Sequence, residues 1–89
     1  MEVVWTDYLK YRAALRGFDL NRIEQIVKSS GERYIDTATN RLVVVGRCEK
    51  MLVLIPYEAS EGVLTPITIH ATTRQQIGFR VKTGRFVHE

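Results

Sequence analysis

A change of hydrophobic period near Gly31 constrains this chain more than any other feature. Before it, apolar residues recur at helical spacing; from Glu32 onward they come in β-branched runs separated by short polar linkers. Helices come first and a sheet follows, with linkers of hairpin size between the strands, so the pattern predicts an α+β chain built on an antiparallel meander.

Within that frame, Val3, Val4 and Trp5 read as a short edge strand. Thr6 is placed to cap a helix over residues 7–16, with Asp7 in its first turn, Leu9 and Ala13 on one side and Gly17 at its end. Asp19 is placed to cap a second helix in which Ile23, Ile26 and Val27 share a face, stopped by Ser29, Ser30 and Gly31. Strands are predicted over residues 33–37, 41–48, 51–57 and 64–70. The run 42–45 has no polar alternation, as in a central strand covered on both faces. Pro56 marks the exit of the third strand and Pro66 the beginning of the fourth. Thr72 with Gln75 and Thr73 with Gln76 both fit capping-box spacing, predicting a short final helix that carries Ile77 and Val81 on one side. The expected architecture is two N-terminal helices packed on one face of a three- to four-stranded antiparallel sheet, the other face more polar, with a short C-terminal helix.

Size limits the alternatives. At 89 residues and 10.3 kDa the chain is a single domain, residues 1–89. Its 45% apolar and 26% charged content excludes a disordered chain. Such a domain buries about two-thirds of its unfolded surface, which leaves no space for a dinucleotide fold and little room for an internal cofactor cavity. The longest apolar run, residues 51–55, falls far short of the roughly 18–20 residues that cross a bilayer. With Glu2 near the start and no basic segment before an apolar one, no secretory signal is read, and the expected location is the cytoplasm. A lone Cys48 makes no internal disulfide. Together with His70 and His88 it is too scattered for a metal centre, so no metal and no cofactor is expected, and Cys48 reads as a small strand residue.

The net charge of +3 is modest, but its distribution is not even: Arg74, Arg80, Lys82 and Arg85 lie in a stretch without an acid between Glu61 and Glu89. A basic segment of this kind suits an anionic partner, either nucleic acid or an acidic protein.

Several short motifs carry a resemblance. Trp5-Thr-Asp precedes a basic, alanine-containing first helix ending in Arg16-Gly17-Phe18. Later come Arg41-Leu-Val-Val-Val-Gly-Arg47, Leu52-Val-Leu-Ile-Pro-Tyr57 and Ile67-Thr-Ile-His-Ala-Thr-Thr-Arg74. In this order they resemble the RelE/ParE superfamily of bacterial toxins, BrnT-type toxins most of all, over about positions 3–80. The resemblance implies a small toxin that cleaves RNA without a metal, on or off the ribosome, and is neutralised by a cognate antitoxin protein. RelE-like ribonucleases often carry a terminal tyrosine after basic residues; this chain has Phe86 there, and Tyr57 can replace it only if its hydroxyl faces the same surface.

The residues themselves support that chemistry in part. Metal-free cleavage needs a base for the ribose 2′-hydroxyl, cations against the charge gathering on phosphorus, and an acid for the leaving oxygen. Arg41 and Arg47 share a face of their strand if it is unbulged. His70 is the side chain able to exchange protons near neutrality, and Arg74 opens the final helix, where anions are favoured. Arg47, His70 and Arg74 are thus the catalytic candidates, with Arg41, Arg80, Lys82 and Arg85 as nucleic-acid contacts; Phe79 and Phe86 are interleaved for stacking. Tyr8, Tyr11, Arg12 and Arg16 on the first helix make a second candidate surface. The same charges also suit a non-catalytic module that binds nucleic acid or a protein target. Exposed strand edges make self-association, a homodimer included, a further expectation.

Overall fold

In the computed structural model, which describes residues 1–89, the chain runs β1 (Glu2–Val3), α1 (Asp7–Arg16), α2 (Leu20–Ser29), β2 (Arg33–Asp36), β3 (Arg41–Cys48), β4 (Met51–Ser60), β5 (Val63–Pro66), β6 (His70–Ala71), α3 (Arg74–Lys82) and β7 (Phe86–His88). Each helix starts where a side chain accepts a free backbone N–H. Thr6 Oγ1 takes that of Leu9 at 3.0 Å, Asp19 Oδ1 that of Asn21 at 2.9 Å and Thr73 Oγ1 that of Gln76 at 3.1 Å. Of the two capping spacings before α3, the second is therefore the one realised. α1 stops at Gly17, whose φ of 75° lets the N–H groups of Gly17 and Phe18 return to the carbonyls of Ala14 and Ala13.

The sheet has seven strands in the order β1-β5-β4-β3-β2-β7, with β6 against β4. Neighbours are antiparallel except β1 and β5, which run parallel. The expected three- to four-stranded antiparallel sheet is thus a mixed sheet of seven. β3 and β4 pair without a bulge from Leu42 opposite Tyr57 to Cys48 opposite Met51. β4 runs past Pro56, which was expected to mark its exit. The Pro56 carbonyl accepts the Ile67 N–H at 2.8 Å, so the missing proline N–H points to the same side. There the ladder is interrupted between β5 and β6, and no donor is needed. The same interruption splits the expected strand 64–70 in two. Beyond it, Glu61 and Gly62, with φ of 51° and 79°, form a two-residue turn of the kind that matches strand twist.

Alternation along β3 and β4 sends apolar side chains both ways. Val44, Cys48, Val53, Ile55 and Tyr57 meet Leu9 and Ala13 of α1 and Ile23, Ile26 and Val27 of α2. Val43, Val45, Leu52 and Leu54 meet Tyr34, Ile77 of α3 and Phe86 of β7, with Val81 alongside. The helix pair does lie on one face, but the other is not the open polar face expected: α3 and Phe86 cover it. β7 itself was not foreseen, because an aromatic among basic residues reads as surface. Phe86 is instead 2% exposed and stacks on Tyr34 with ring centroids 5.4 Å apart.

Two contacts fix these layers. On the helix side, a Cβ on Gly46 would lie 2.6 Å from Ile26 Cγ2, so glycine is what lets α2 approach β3. On the other side, buried Asp36 receives Nε and Nη2 of Arg85 at 3.1 Å each and the Ala38 N–H at 2.9 Å, tying β7 to β2. Burial alone would raise the Asp36 carboxyl, but the hydrogen bonds from Arg85 and Ala38 outweigh it and hold the group below the ordinary carboxylate range.

Gly46→Ala should destabilise the protein by about 1–3 kcal/mol through overpacking, and combining it with Ile26→Val should recover part of the loss in urea titrations. Because Asp36 titrates lower in the folded state than in the unfolded one, its contribution is complete above the unfolded value near 3.9 and is lost as pH falls through the folded value. Asp36→Asn should flatten this acid limb of a stability–pH curve measured by thermal unfolding.

Candidate functional site

Two neighbouring hollows collect most of the basic side chains. The larger, about 820 Å³, forms where the end of α1, the start of α2, the β3–β4 turn and the start of α3 converge. Arg16, Arg22, Arg47, Lys50 and Arg74 line it against only Asp19 and Glu49. With the Glu32 carboxylate that Arg74 holds counted in, the local excess is +2 of the chain's +3.

Backbone carbonyls hold two of these cations in place. Arg22 Nε donates to the Arg47 carbonyl at 2.7 Å, and Arg22 Nη1 to Gln25 Oε1 at 2.9 Å. Arg47 Nη1 reaches the Lys50 carbonyl at 3.4 Å. Arg74 alone among the five is neutralised: its Nη1 lies 2.7 Å from both carboxylate oxygens of Glu32. Burial opposes ionisation of Glu32, yet hydrogen bonds from Arg74 and Tyr34 hold its carboxyl below the ordinary range. Tyr34, donating its hydroxyl to Glu32 at 2.7 Å, is pushed up to about 12, by burial first and by that bond next. Arg16, Arg22, Arg47 and Lys50 have no carboxylate partner.

The second hollow, about 520 Å³, lies on the α3 side of the sheet and is lined by Asp36, Arg41, Thr68, His70, Gln76, Arg80, Arg85 and Phe86, among others. Its arginines are mostly engaged. Arg85 is held by Asp36, Arg41 lies 3.5 Å from Glu58, and only Arg80, stacked 5.5 Å over the Phe86 ring, is without an acid. His70 is fixed from outside this face: Arg12 Nη2 donates to the Ile69 carbonyl at 3.2 Å and lies 3.3 Å from His70 Nδ1. Partial burial, then the charges of Arg12, Arg16 and Arg80, hold the imidazole below its usual range.

The catalytic candidates are therefore divided. Arg47 and Arg74 share the first hollow and His70 lines the second, with Thr72 lining both. Of the expected nucleic-acid contacts, Arg41, Arg80 and Arg85 gather around His70, whereas Lys82 is exposed at the end of α3 and lines neither hollow. The unbulged register places Arg41 and Arg47 on one face, but six residues of strand separate them by about 20 Å, too far for one phosphate. Tyr57 is buried on the helix side, where its hydroxyl accepts from Arg33 Nη1 at 3.1 Å, so it does not stand in for a tyrosine beside His70. Arg22, Lys50 and Glu32 were not anticipated. Neither was the Arg12–His70 contact, which joins residues 58 positions apart and leaves no local signal.

Cys48 lies under the first hollow, and burial raises its thiol despite the nearby charge of Arg22. The His, Cys, Asp and Glu side chains form no group of three or more that could hold a metal ion, and no helix is long and apolar enough to cross a membrane. No family model, no curated protein and no solved structure matches the chain.

Cys48 should react slowly with an aromatic disulfide reagent at neutral pH and quickly once urea unfolds the protein. Equal rates in the two states would show the thiol to be accessible in the fold.

Proposed function

We propose that the protein binds single-stranded RNA and cleaves it without a metal, as the toxin-like member of a type II toxin–antitoxin pair acting in the cytoplasm. The observation that carries this reading is the concentration of uncompensated Arg16, Arg22, Arg47 and Lys50 around one hollow, adjoining the hollow that holds His70. A phosphodiester chain crossing Thr72 would occupy both. Arginine suits such a path, since its planar fork pairs with two phosphate oxygens and keeps its charge. Phe79, 67% exposed beside Arg80, offers a ring on which a base can stack.

RNA supplies its own nucleophile. The 2′-oxygen attacks the adjacent phosphorus as its proton leaves, the bond from phosphorus to the 5′-oxygen breaks, and that oxygen takes up a proton. The products are a 2′,3′-cyclic phosphate and a 5′-hydroxyl end. Arg47 acts on the charge that grows on the phosphorane oxygens, and Arg74 joins it only where RNA draws its guanidinium away from Glu32. A cognate antitoxin has a surface to cover: Tyr8, Tyr11 and Leu15 are 56%, 62% and 63% exposed and form one stripe along α1.

A non-catalytic RNA- or protein-binding module is the second reading. The separation of Arg47 and Arg74 from His70 by Thr72 favours it, because one phosphate cannot engage all three unless the chain bends between the hollows.

Cleavage of RNA with and without ribosomes, scored for a 2′,3′-cyclic end, separates the two. Arg47→Ala should slow cleavage by about 10²- to 10³-fold, and Arg74→Ala by less, because Glu32 already holds that guanidinium. Arg47→Ala should also lower the slope of log affinity against log salt by about 0.7, as loss of one phosphate contact on a single strand does. Glu32→Gln, which releases Arg74, should strengthen binding instead. RNA bound but never cut selects the second reading with RNA as its ligand, and no RNA bound at low salt by folded protein removes RNA from both.

A further inference from the structure

A guanidinium group has only N–H donors and no acceptor. Arg12 Nη2 is already anchored on the carbonyl of Ile69, the residue before His70, and lies 3.3 Å from His70 Nδ1. A hydrogen bond at that position requires Nδ1 to be the nitrogen with the free lone pair, and a neutral ring then carries its proton on Nε2. Protonating Nδ1 would set one N–H against another. The surroundings act in the same sense: Arg12 and Arg16 face the ring from α1 and Arg80 from α3, while Arg41 and the Arg85–Asp36 pair share its hollow.

Nε2 has no partner within the chain. Thr68 Oγ1, buried and lining the same hollow, has none either. An exposed ring nitrogen beside a buried, unengaged hydroxyl and a cationic rim suits a ligand rich in oxygen acceptors.

We propose that Arg12 is a positioning residue that fixes the His70 proton on Nε2, so that His70 offers this hollow a neutral hydrogen-bond donor to a phosphodiester oxygen rather than a base. The identity of the acceptor rests on the RNA reading above; the state of the ring does not. A neutral N–H aimed at a phosphoryl oxygen strengthens as charge builds there, and neutral imidazole is a known electrophile of this kind. The proton lost by the 2′-hydroxyl then passes to water, not to His70.

The test has two arms. In ¹⁵N-labelled His88→Gln protein, His70 is the only histidine, and long-range ¹H–¹⁵N spectra from pH 5 to 8 read its tautomer directly. Nδ1 should resonate as an unprotonated nitrogen and Nε2 as a protonated one, with a midpoint below the ordinary value of about 6.5. Arg12→Met should let the two tautomers interconvert and raise the midpoint; Arg12→Gln, whose amide still donates, should preserve the tautomer. A neutral ring, above the midpoint, that carries its proton on Nδ1 or shows mixed shifts with Arg12 intact overturns the proposal even if Arg12→Met does not fold. In the second arm, a short RNA is titrated and cleaved. His70→Gln keeps a donor near Nε2 and should stay within about threefold of the unaltered protein, whereas His70→Ala should lose about tenfold or more. Equal losses in the two variants, together with a pH profile that flattens in both, return His70 to the role of base. Absence of any RNA binding removes the phosphodiester acceptor, while the spectra still decide the tautomer.

Discussion

The pairing of β3 with β4 sets the terms for everything around it. Both faces of this hairpin are apolar, and a chain of 89 residues has to cover each of them. Two helices are spent on one side. The other is closed by a single buried residue of α3, Ile77, together with Phe86 from β7 and Tyr34 from β2. Covering the second face brings the beginning of α3 beside the β3–β4 turn and its end beside β7. The two hollows are the gaps left at those meeting points, so the candidate site is a by-product of how a small sheet is sealed on both sides.

The basic composition looks different once structural uses are set apart. Arg33 donates to the carbonyls of Val27 and Ser30 and to the Tyr57 hydroxyl, with its guanidinium 5.5 Å from the Tyr57 ring centroid, joining the end of α2 to the sheet. Arg85 holds β7, and Arg74 is occupied by Glu32. Around the hollows, what remains for a ligand is Arg16, Arg22, Arg47 and Lys50, with Arg80 nearby; Lys10 and Lys82 are also unpaired but line neither hollow. The acid-free C-terminal stretch that stands out in the sequence therefore contributes less free charge than the scattered residues around the β3–β4 turn.

Local signals were enough to read α1, α2, β3 and the cap of α3, because each depends on neighbours in sequence: Thr6 with Leu9, Gly17 with Ala13, Thr73 with Gln76. The α+β class followed from the same signals. The breaks in the reading came wherever distant residues decide the outcome. Pro56 is tolerated inside β4 only because the ladder is interrupted beside it, between β5 and β6, and β1 exists only through β5. Phe86 looked like part of a binding surface until Tyr34 was there to receive it. For the site, shared facing of Arg41 and Arg47 was legible from strand period, whereas the division of Arg47, Arg74 and His70 between two hollows depends on the path of residues 67–73 across the sheet.

β7 has a consequence for the order in which the protein becomes complete. It follows every other element in the chain, yet Phe86 seals the second core and Arg85 forms a wall of the hollow that holds His70. Synthesis proceeds from the N-terminus, so the helix-covered face can assemble while this wall is still missing. Docking of these last residues is therefore the step that closes both the second core over Tyr34, Val43 and Leu54 and the hollow of His70, and anything that holds them off the sheet leaves both open.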